Sequence, residues 1–183
     1  ADAQERWQAT GRLLQYPAIV TPVCGERVMK LSEFLEDYGG WLAFIIATVA
    51  TLGSLYYSEI AGYLPCRLCW YQRILMYPLV VVTLVGALKR DEYLPTYVLP
   101  LSLIGMLVSG YHSLMEKGVF PPSATCAADV PCNITYVNYL GFITIAVMAF
   151  TAFTLITLIM FGMRSAYRRD AAAQLPIPTS EGY

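Results

Sequence analysis

The chain has 183 residues, of which 57% are hydrophobic and only 14% are charged, and its formal net charge at pH 7 is −1. This composition is too apolar for an ordinary soluble domain of this length. We also expect no nucleic-acid partner.

Long stretches without a charged side chain indicate membrane spans, because a transmembrane helix needs about 20 mostly apolar residues. The second stretch is short, but it reaches that length if the helix begins near Cys69 and includes Arg73. We therefore predict an all-α membrane protein, an antiparallel bundle of four transmembrane helices. The charge-free stretches are residues 38–58, 74–88, 93–115 and 130–163, and the predicted spans are about 40–58, 69–88, 94–114 and 138–162.

Residues 1–37 form the first predicted segment, and residues 38–163 form the predicted four-helix domain. The N-terminus is polar and mixed in charge, so we expect no cleavable signal peptide. Residues 31–38 place Leu31, Phe34, Leu35 and Tyr38 on one helical face. That face suits either an amphipathic helix on the inner membrane surface or a simple lead-in to the first span.

The distribution of Lys and Arg predicts the orientation, since cytoplasmic loops carry an excess of them. The two outer loops, 59–68 and 115–137, hold only Arg67 and Lys117. We therefore predict that both termini face the cytoplasm. The opposite side holds nine basic residues: Arg6, Arg12, Arg27, Lys30, Lys89, Arg90, Arg164, Arg168 and Arg169.

The predicted topology places four of the five cysteines outside, with one pair in each outward loop. These are Cys66 with Cys69 and Cys126 with Cys132. Disulfides form in oxidising compartments and rarely in the cytosol, so Cys24 is expected to be a free thiol without a role.

The CxxC pair, Cys66 and Cys69, lies at the outer, N-terminal end of the second span. Redox exchange is the favoured interpretation, because a CxxC at a helix N-terminus acquires a lowered thiol pKa. The helix dipole would favour a thiolate at Cys69, and Pro65 suits the start of the helix. Structural disulfides and a four-cysteine zinc site are the alternatives, although the spacing is looser than in paired zinc knuckles.

Arg73 lies one helical turn deeper than Cys69, on the same face. An arginine below the membrane surface indicates a functional site, where it would stabilise a thiolate or hold an oxygen of an electron acceptor. The alternative is that its long side chain snorkels to the interface.

His112 is the only histidine and lies near the outer end of the third span, at about the depth of Cys69 and Arg73. Alone it would be a hydrogen-bonded core residue. Beside a redox pair, it is suited to moving a proton or to binding a carbonyl.

These features together resemble the DsbB family of bacterial membrane disulfide-bond formation proteins, including its shorter BdbC-type relatives. The resemblance covers about residues 38–163. It is carried by the four spans, CRLCWYQR before the second, YHSLMEKG at the end of the third, the cysteine pair in the second outer loop, and PCNITYVNYLGFITI before the fourth.

The resemblance implies an enzyme of the bacterial cytoplasmic membrane, a protein dithiol:quinone oxidoreductase that reoxidises a DsbA-like thioredoxin-fold partner. Cys66 and Cys69 match the quinone-proximal pair, with Cys69 as the thiolate that contacts the quinone. Arg73 and His112 match the residues that bind the quinone, either ubiquinone or menaquinone. We expect no metal.

The resemblance also implies an order of exchange. Cys126 takes the attack of the partner's thiolate, Cys132 then attacks Cys66, and Cys69 is released to reduce the quinone. This order agrees with the expectation that Cys66 lies further out than Cys69. Cys126 and Cys132 are only six positions apart, a closer spacing than in the best-known members, which limits how far Cys132 can reach.

Two other interpretations remain open. The vitamin K epoxide reductase family also combines four helices, two cysteine pairs and a quinone, but its CxxC lies at the last helix of the core bundle. A non-enzymatic four-span protein, claudin-like or a complex subunit, would carry structural disulfides instead. Residues 164–183 are predicted to be a disordered cytoplasmic tail.

Overall fold

The structure is a computed structural model that describes residues 25–120, 132, 135–137 and 142–173. The chain divides into two compact units, residues 1–30 and 31–183. Within the described residues the fold is all-helical, as predicted. Its helices are α1 (Gly25–Leu55), α2 (Arg67–Lys89), α3 (Leu94–Glu116) and α4 (Ile145–Ala173), with a π-helical turn at Tyr56–Ile60.

All four helices are long and apolar enough to cross a membrane, which confirms the prediction of a four-span membrane protein. The apolar segments run over Glu33–Ile60, Arg67–Lys89, Leu94–Glu116 and Ile145–Arg169. Many large apolar side chains point outward, among them Val49, Leu107 and Leu158. Such an exposed apolar surface suits lipid, in which backbone groups must be paired within each helix.

Helix α1 is continuous from Gly25 to Leu55. Residues 31–38 are therefore turns of the same helix that forms the first span. Leu35 explains why, because its side chain packs against the core of the bundle. At its other end α1 passes directly into the π-helical turn, closed by the bond from the Ala61 N–H to the Tyr56 carbonyl.

Helices α2 and α3 are joined by a tight turn. Arg90 adopts the left-handed conformation (φ 49°) at the end of α2. Its N–H and that of Asp91 donate back to the carbonyls of Ala87 and Gly86, an arrangement that satisfies the last carbonyls of a helix. Pro95 lies in the first turn of α3, where its missing N–H costs nothing.

Helix α4 begins at Ile145 and not at residue 138, which corrects the predicted start of the fourth span. Thr144 sets the boundary, because its side-chain oxygen accepts a hydrogen bond from the Val147 N–H, 3.3 Å away. The helix continues to Ala173. The predicted disorder from residue 164 is therefore wrong for residues 164–173, whereas residues 174–183 lie outside the described residues.

Small residues let α3 and α4 approach closely. A Cβ on Gly105 would lie 2.2 Å from Cε1 of Phe153, so only glycine admits this ring. Phe153 is fully buried at the centre of the core. A buried hydrogen bond of 3.0 Å from Thr157 to Ser102 joins the same two helices, as is common between transmembrane helices.

Candidate functional site

Cys66 and Cys69 meet where α2 begins. Cys66 is extended (φ −70°, ψ 171°) and caps the helix, its sulfur accepting a hydrogen bond from the Cys69 N–H at 3.3 Å. The next turn of the helix brings the Cys69 sulfur to 2.8 Å from that of Cys66. Both cysteines are free, and the two sulfurs are close enough for a disulfide to form with little movement.

Cys66 is the more buried of the pair, although it precedes the first residue of α2 and so lies nearer the preceding loop than Cys69 does. It is 6% exposed and packs against Met115 and Cys132, whereas Cys69 is half-buried. The hydrogen bond from the Cys69 thiol, together with His112, holds the pKa of the Cys66 thiol below its usual value, although burial opposes this. The Cys69 N–H, in the first turn of α2, donates to the Cys66 sulfur. The backbone donor at the start of the helix would therefore stabilise a thiolate on Cys66 and not on Cys69.

His112, on the last turns of α3, connects the two cysteines of the CxxC pair to the segment between α3 and α4. Its Nε2 lies 3.2 Å from the Cys132 carbonyl and 3.7 Å from the Cys66 sulfur. Its Nδ1 lies 3.0 Å from Nε2 of Gln72. A neutral imidazole with its proton on Nε2 satisfies both partners, donating to the carbonyl and accepting from the Gln72 amide.

Glu116 lies one turn after His112, and its Oε1 is 3.9 Å from His112 Nε2. Its other oxygen accepts a hydrogen bond from the Thr144 hydroxyl. Thr144 therefore links the start of α4 to the end of α3 while also capping α4. A buried carboxyl group at this depth is costly unless it is paired. Here the Thr144 hydroxyl pairs one oxygen, and the other lies near the His112 ring without receiving a hydrogen bond from it.

Arg73 is fixed to α1. Its Nε donates to the Ser54 hydroxyl and its Nη2 to the Ser54 carbonyl, both at 2.9 Å. Its guanidinium also lies 5.5 Å from the centre of the Trp70 ring, a cation–π contact. Ser54 lies just before the π-helical turn, and such turns are frequent at functional sites because they interrupt the regular hydrogen bonding of a helix.

These groups share one cavity of about 540 Å³, a volume typical of small-molecule sites. Most of its wall is apolar and comes from α1 and α4, for example Val49, Ala50 and Leu155. The polar part is concentrated at the cysteine end. It includes Cys66, Cys69, Gln72, Arg73, His112 and Glu116, together with Ser54 from α1.

The structure thus brings together four residues singled out from the sequence, Cys66, Cys69, Arg73 and His112. Cys132 is buried beside Cys66 and is disulfide-bonded. Cys126 and Cys24 lie outside the described residues.

Sequence reasoning missed Gln72, Glu116 and Ser54. Glu116 carried a signal, since it stands four positions after His112 and ends a charge-free stretch. Gln72 and Ser54 carried none, because their roles depend on contacts across helices.

Comparison with known proteins identifies the family. The family model described as "Disulfide bond formation protein DsbB" matches residues 38–178. A "Probable disulfide formation protein C" from Halalkalibacterium halodurans is 52% identical over 101 residues, covering 55% of this chain and 72% of that protein.

Two further relatives have similar coverage. "Disulfide bond formation protein C" from Bacillus subtilis is 44% identical over 55% of this chain and 72% of its own length. A "Probable disulfide formation protein" from Oceanobacillus iheyensis is 48% identical over 53% and 68%. No solved structure matches the chain. The match over most of the helical bundle and these identities establish that the chain belongs to the DsbB family of disulfide bond formation proteins.

Proposed function

We propose that this protein is a thiol–disulfide oxidoreductase of the bacterial cytoplasmic membrane, which reoxidises an extracytoplasmic DsbA-like thiol oxidase and passes the electrons to a membrane quinone. One observation carries the proposal. The free pair Cys66–Cys69 lies between a buried, disulfide-bonded Cys132 on one side and an apolar cavity on the other. A pair so placed can exchange with a loop disulfide and also face a lipid-soluble acceptor.

The residues present fit a quinone. The cavity is apolar along α1 and α4, which suits an isoprenoid chain, and its polar end offers N–H donors to ring oxygens. Arg73 would hold one oxygen, because its Nη1 donates to none of the described residues while Ser54 fixes the rest of the guanidinium. A bound quinone supplies an acceptor for two electrons and two protons.

The chain's own cysteines carry the thiol exchange. The partner's thiolate attacks Cys126, and the Cys126–Cys132 disulfide is broken as the partner's disulfide forms. Cys132 then attacks Cys66, which breaks the Cys66–Cys69 disulfide, forms a Cys66–Cys132 disulfide and leaves Cys69 as the thiolate facing the cavity. Cys126 attacks Cys132 in turn, which restores the Cys126–Cys132 disulfide and releases the Cys66 thiol. Each exchange moves two electrons and passes through a mixed disulfide. The packing of Cys132 against Cys66 supports this order, because the two residues that must meet are already neighbours.

His112, Gln72 and Glu116 would prepare this site. Two groups fix the imidazole of His112: the Gln72 side chain contacts Nδ1, and the Cys132 carbonyl contacts Nε2. The ring therefore stays between the two cysteine pairs. His112 can hold or move a proton within 3.7 Å of the Cys66 sulfur. Glu116 lies 3.9 Å from Nε2 of the same ring, where its carboxylate would stabilise the imidazolium when His112 holds a second proton.

Trapping tests the function. With the Cys66–Cys69 disulfide and added quinone as the oxidant, a partner that lacks its resolving cysteine should form a stable mixed disulfide with a Cys132→Ala protein, and it should form none with a Cys126→Ala protein. In the unmodified protein, one quinone should be reduced for each partner disulfide formed. A protein with purely structural disulfides would capture no partner and reduce no quinone, and capture only through Cys132 would reverse the relay order.

A further inference from the structure

Cys66, Cys69 and His112 form a group of metal-ligand atoms. One donor atom from each residue lies within 4.8 Å of the other two. Two of the three residues are buried and the third is half-buried, so the group is shielded from bulk water but borders the cavity. This set differs from the four-cysteine zinc site considered from the sequence, because it replaces the loop cysteines with an imidazole.

The spacing of these atoms can be compared with tetrahedral zinc. Zn–S bonds of about 2.3 Å and Zn–N bonds of about 2.0 Å place two sulfurs about 3.8 Å apart and a sulfur and a nitrogen about 3.6 Å apart. The Cys66 sulfur and His112 Nε2 are already 3.7 Å apart. The two sulfurs are 2.8 Å apart and must separate by about 1 Å, which a small rotation of the half-buried Cys69 side chain can provide.

The surroundings can accept the change in His112. Its Nε2 would give up the hydrogen bond to the Cys132 carbonyl and bind the metal with its lone pair. Nδ1 would then carry the proton and donate to Gln72, whose amide needs only to turn over to present its oxygen. A hydrogen bond of this kind to the second ring nitrogen accompanies almost every metal-bound histidine.

We propose that the reduced protein binds one zinc ion through Cys66, Cys69 and His112, with the fourth position open to water from the cavity. Binding releases the thiol protons and transfers no electrons. Thiolate and imidazole ligands suit Zn²⁺ and do not suit Mg²⁺ or Mn²⁺. The disulfide form has no thiolates to offer, so zinc and the Cys66–Cys69 disulfide exclude each other.

A consequence follows for the redox cycle, and only this part rests on the proposed function. Zinc that binds the dithiol but not the disulfide stabilises the reduced state by mass action. It also occupies the sulfur that would face the electron acceptor. Extracytoplasmic zinc would thus hold the protein in its reduced form and slow its turnover reversibly, with activity restored by a chelator.

The binding experiment uses the full chain in detergent, without quinone or partner. Cys24, Cys126 and Cys132 are replaced by Ser so that only the CxxC pair remains, and zinc is measured by competition with a chromophoric chelator. We expect one zinc per reduced chain and none per oxidised chain. Cobalt should give the sulfur-to-metal charge-transfer absorption of two thiolates in a tetrahedral field.

Variants assign the ligands. Gln72→Ala removes the hydrogen-bond partner of His112 Nδ1 and should weaken zinc binding by about 10–100-fold. His112→Ala removes a ligand and should weaken zinc binding at least as much. Ser109→Ala is the matched control, since Ser109 is buried on the same helix and bonds only within it. In the intact chain, Cys69→Ser should remove one equivalent of zinc, which keeps the test valid if the triple variant does not fold.

Equal zinc binding by the oxidised protein, no binding by the reduced protein, or unchanged affinity in His112→Ala would overturn the proposal. Quinone reduction is measured separately on the zinc-free protein. Zinc binding without quinone reduction would support the metal site and refute the proposed function. Quinone reduction without zinc binding would refute the metal site alone.

Discussion

Ser54 holds the guanidinium of Arg73 by two hydrogen bonds, and this anchorage determines what the arginine can offer to a ligand. Nε and Nη2 are directed to α1, while the rest of the group lines the cavity. An arginine that merely snorkelled would instead extend toward water. The anchored arrangement removes most of the side chain's conformational freedom before a ligand arrives, so less entropy is lost on binding.

Replacing Arg73 with Met should raise the apparent KM for quinone by about 10–100-fold, because a hydrogen bond from a charged donor is lost. Thiol exchange with the partner at Cys126 should remain nearly unchanged. Steady-state kinetics with a soluble quinone analogue measures the apparent KM, and mixed-disulfide trapping measures the exchange at Cys126.

Arg67→Met is the control, since Arg67 is exposed on the first turn of the same helix and does not line the cavity. Quinone kinetics that are the same in both variants would show that Arg73 contributes no binding.

Among individual residues, the sequence pointed to the cysteines, the arginine and the histidine of the site. It did not point to Gln72, Glu116 or Ser54. Cys66, Cys69, Arg73 and His112 stand out because charged or reactive groups are unusual at membrane depth. The relative burial of the two cysteines could not be predicted, because it depends on Met115 and Cys132, which pack over Cys66 from other parts of the chain.

The end of α2 carries backbone strain. The helix ends at Lys89, and its C-cap Arg90 has a φ of 49°, a conformation that costs a non-glycine residue about 1 kcal/mol or more. The ion pair of Arg90 with Asp37 is 3.5 Å long and highly exposed, so it contributes little in return.

Arg90→Gly should therefore raise the free energy of unfolding by roughly 0.5–1 kcal/mol, since glycine adopts this conformation without a steric penalty. Lys89→Gly is the matched control one position earlier. Lys89 is helical, and there glycine should lower stability by about 1 kcal/mol. Denaturant titration in detergent followed by circular dichroism compares the two, and equal effects at both positions would contradict the assigned turn.

The contact between α3 and α4 depends on one glycine. Gly105→Ala should lower the free energy of unfolding by about 1–3 kcal/mol, because the added methyl group would meet the ring of Phe153. Gly53→Ala adds the same methyl group where no atom lies within 4 Å, and it should be neutral or slightly stabilising. Comparable losses from both substitutions would mean that packing against Phe153 is not the cause.

Helix number was predictable from hydropathy, whereas helix ends were not. The fourth span was placed at 138 because residues 130–163 carry no charge, yet the helix begins only after Thr144 caps it. At the other end, Arg164 and Arg168 suggested a departure from the membrane, but basic residues are compatible with the last turns of a helix.

Within residues 31–173, the reactive groups and the basic side chains lie at different helix ends. The reactive end is where α2 begins and α3 ends, and it holds Cys66, Cys69, Cys132, His112 and Glu116. The basic side chains at or near the C-terminal ends of α2 and α4 are Lys89, Arg90, Arg164, Arg168 and Arg169. Charge bias predicts the orientation of such a bundle, but the cavity itself could not be predicted, since it arises from the packing of α1 against its neighbours.

Thiol labelling tests the orientation. In intact cells treated with a mild reductant, a membrane-impermeant maleimide should label Cys126 and leave Cys24 unlabelled until the cells are opened. Single-cysteine variants make the two signals separable. Labelling of Cys24 from outside, with protection of Cys126, would invert the proposed topology.

The hydrogen bond between Glu116 and Thr144 closes the loop between α3 and α4 at its base, because one residue ends α3 and the other immediately precedes α4. The helices are thereby held together independently of whatever length of chain runs between them. Lengthening a loop whose ends are already joined costs little, about 0.6 kcal/mol for each doubling. Insertions in this loop can therefore vary among related proteins, or be engineered to fit a different partner, without disturbing the packing of the helices beneath.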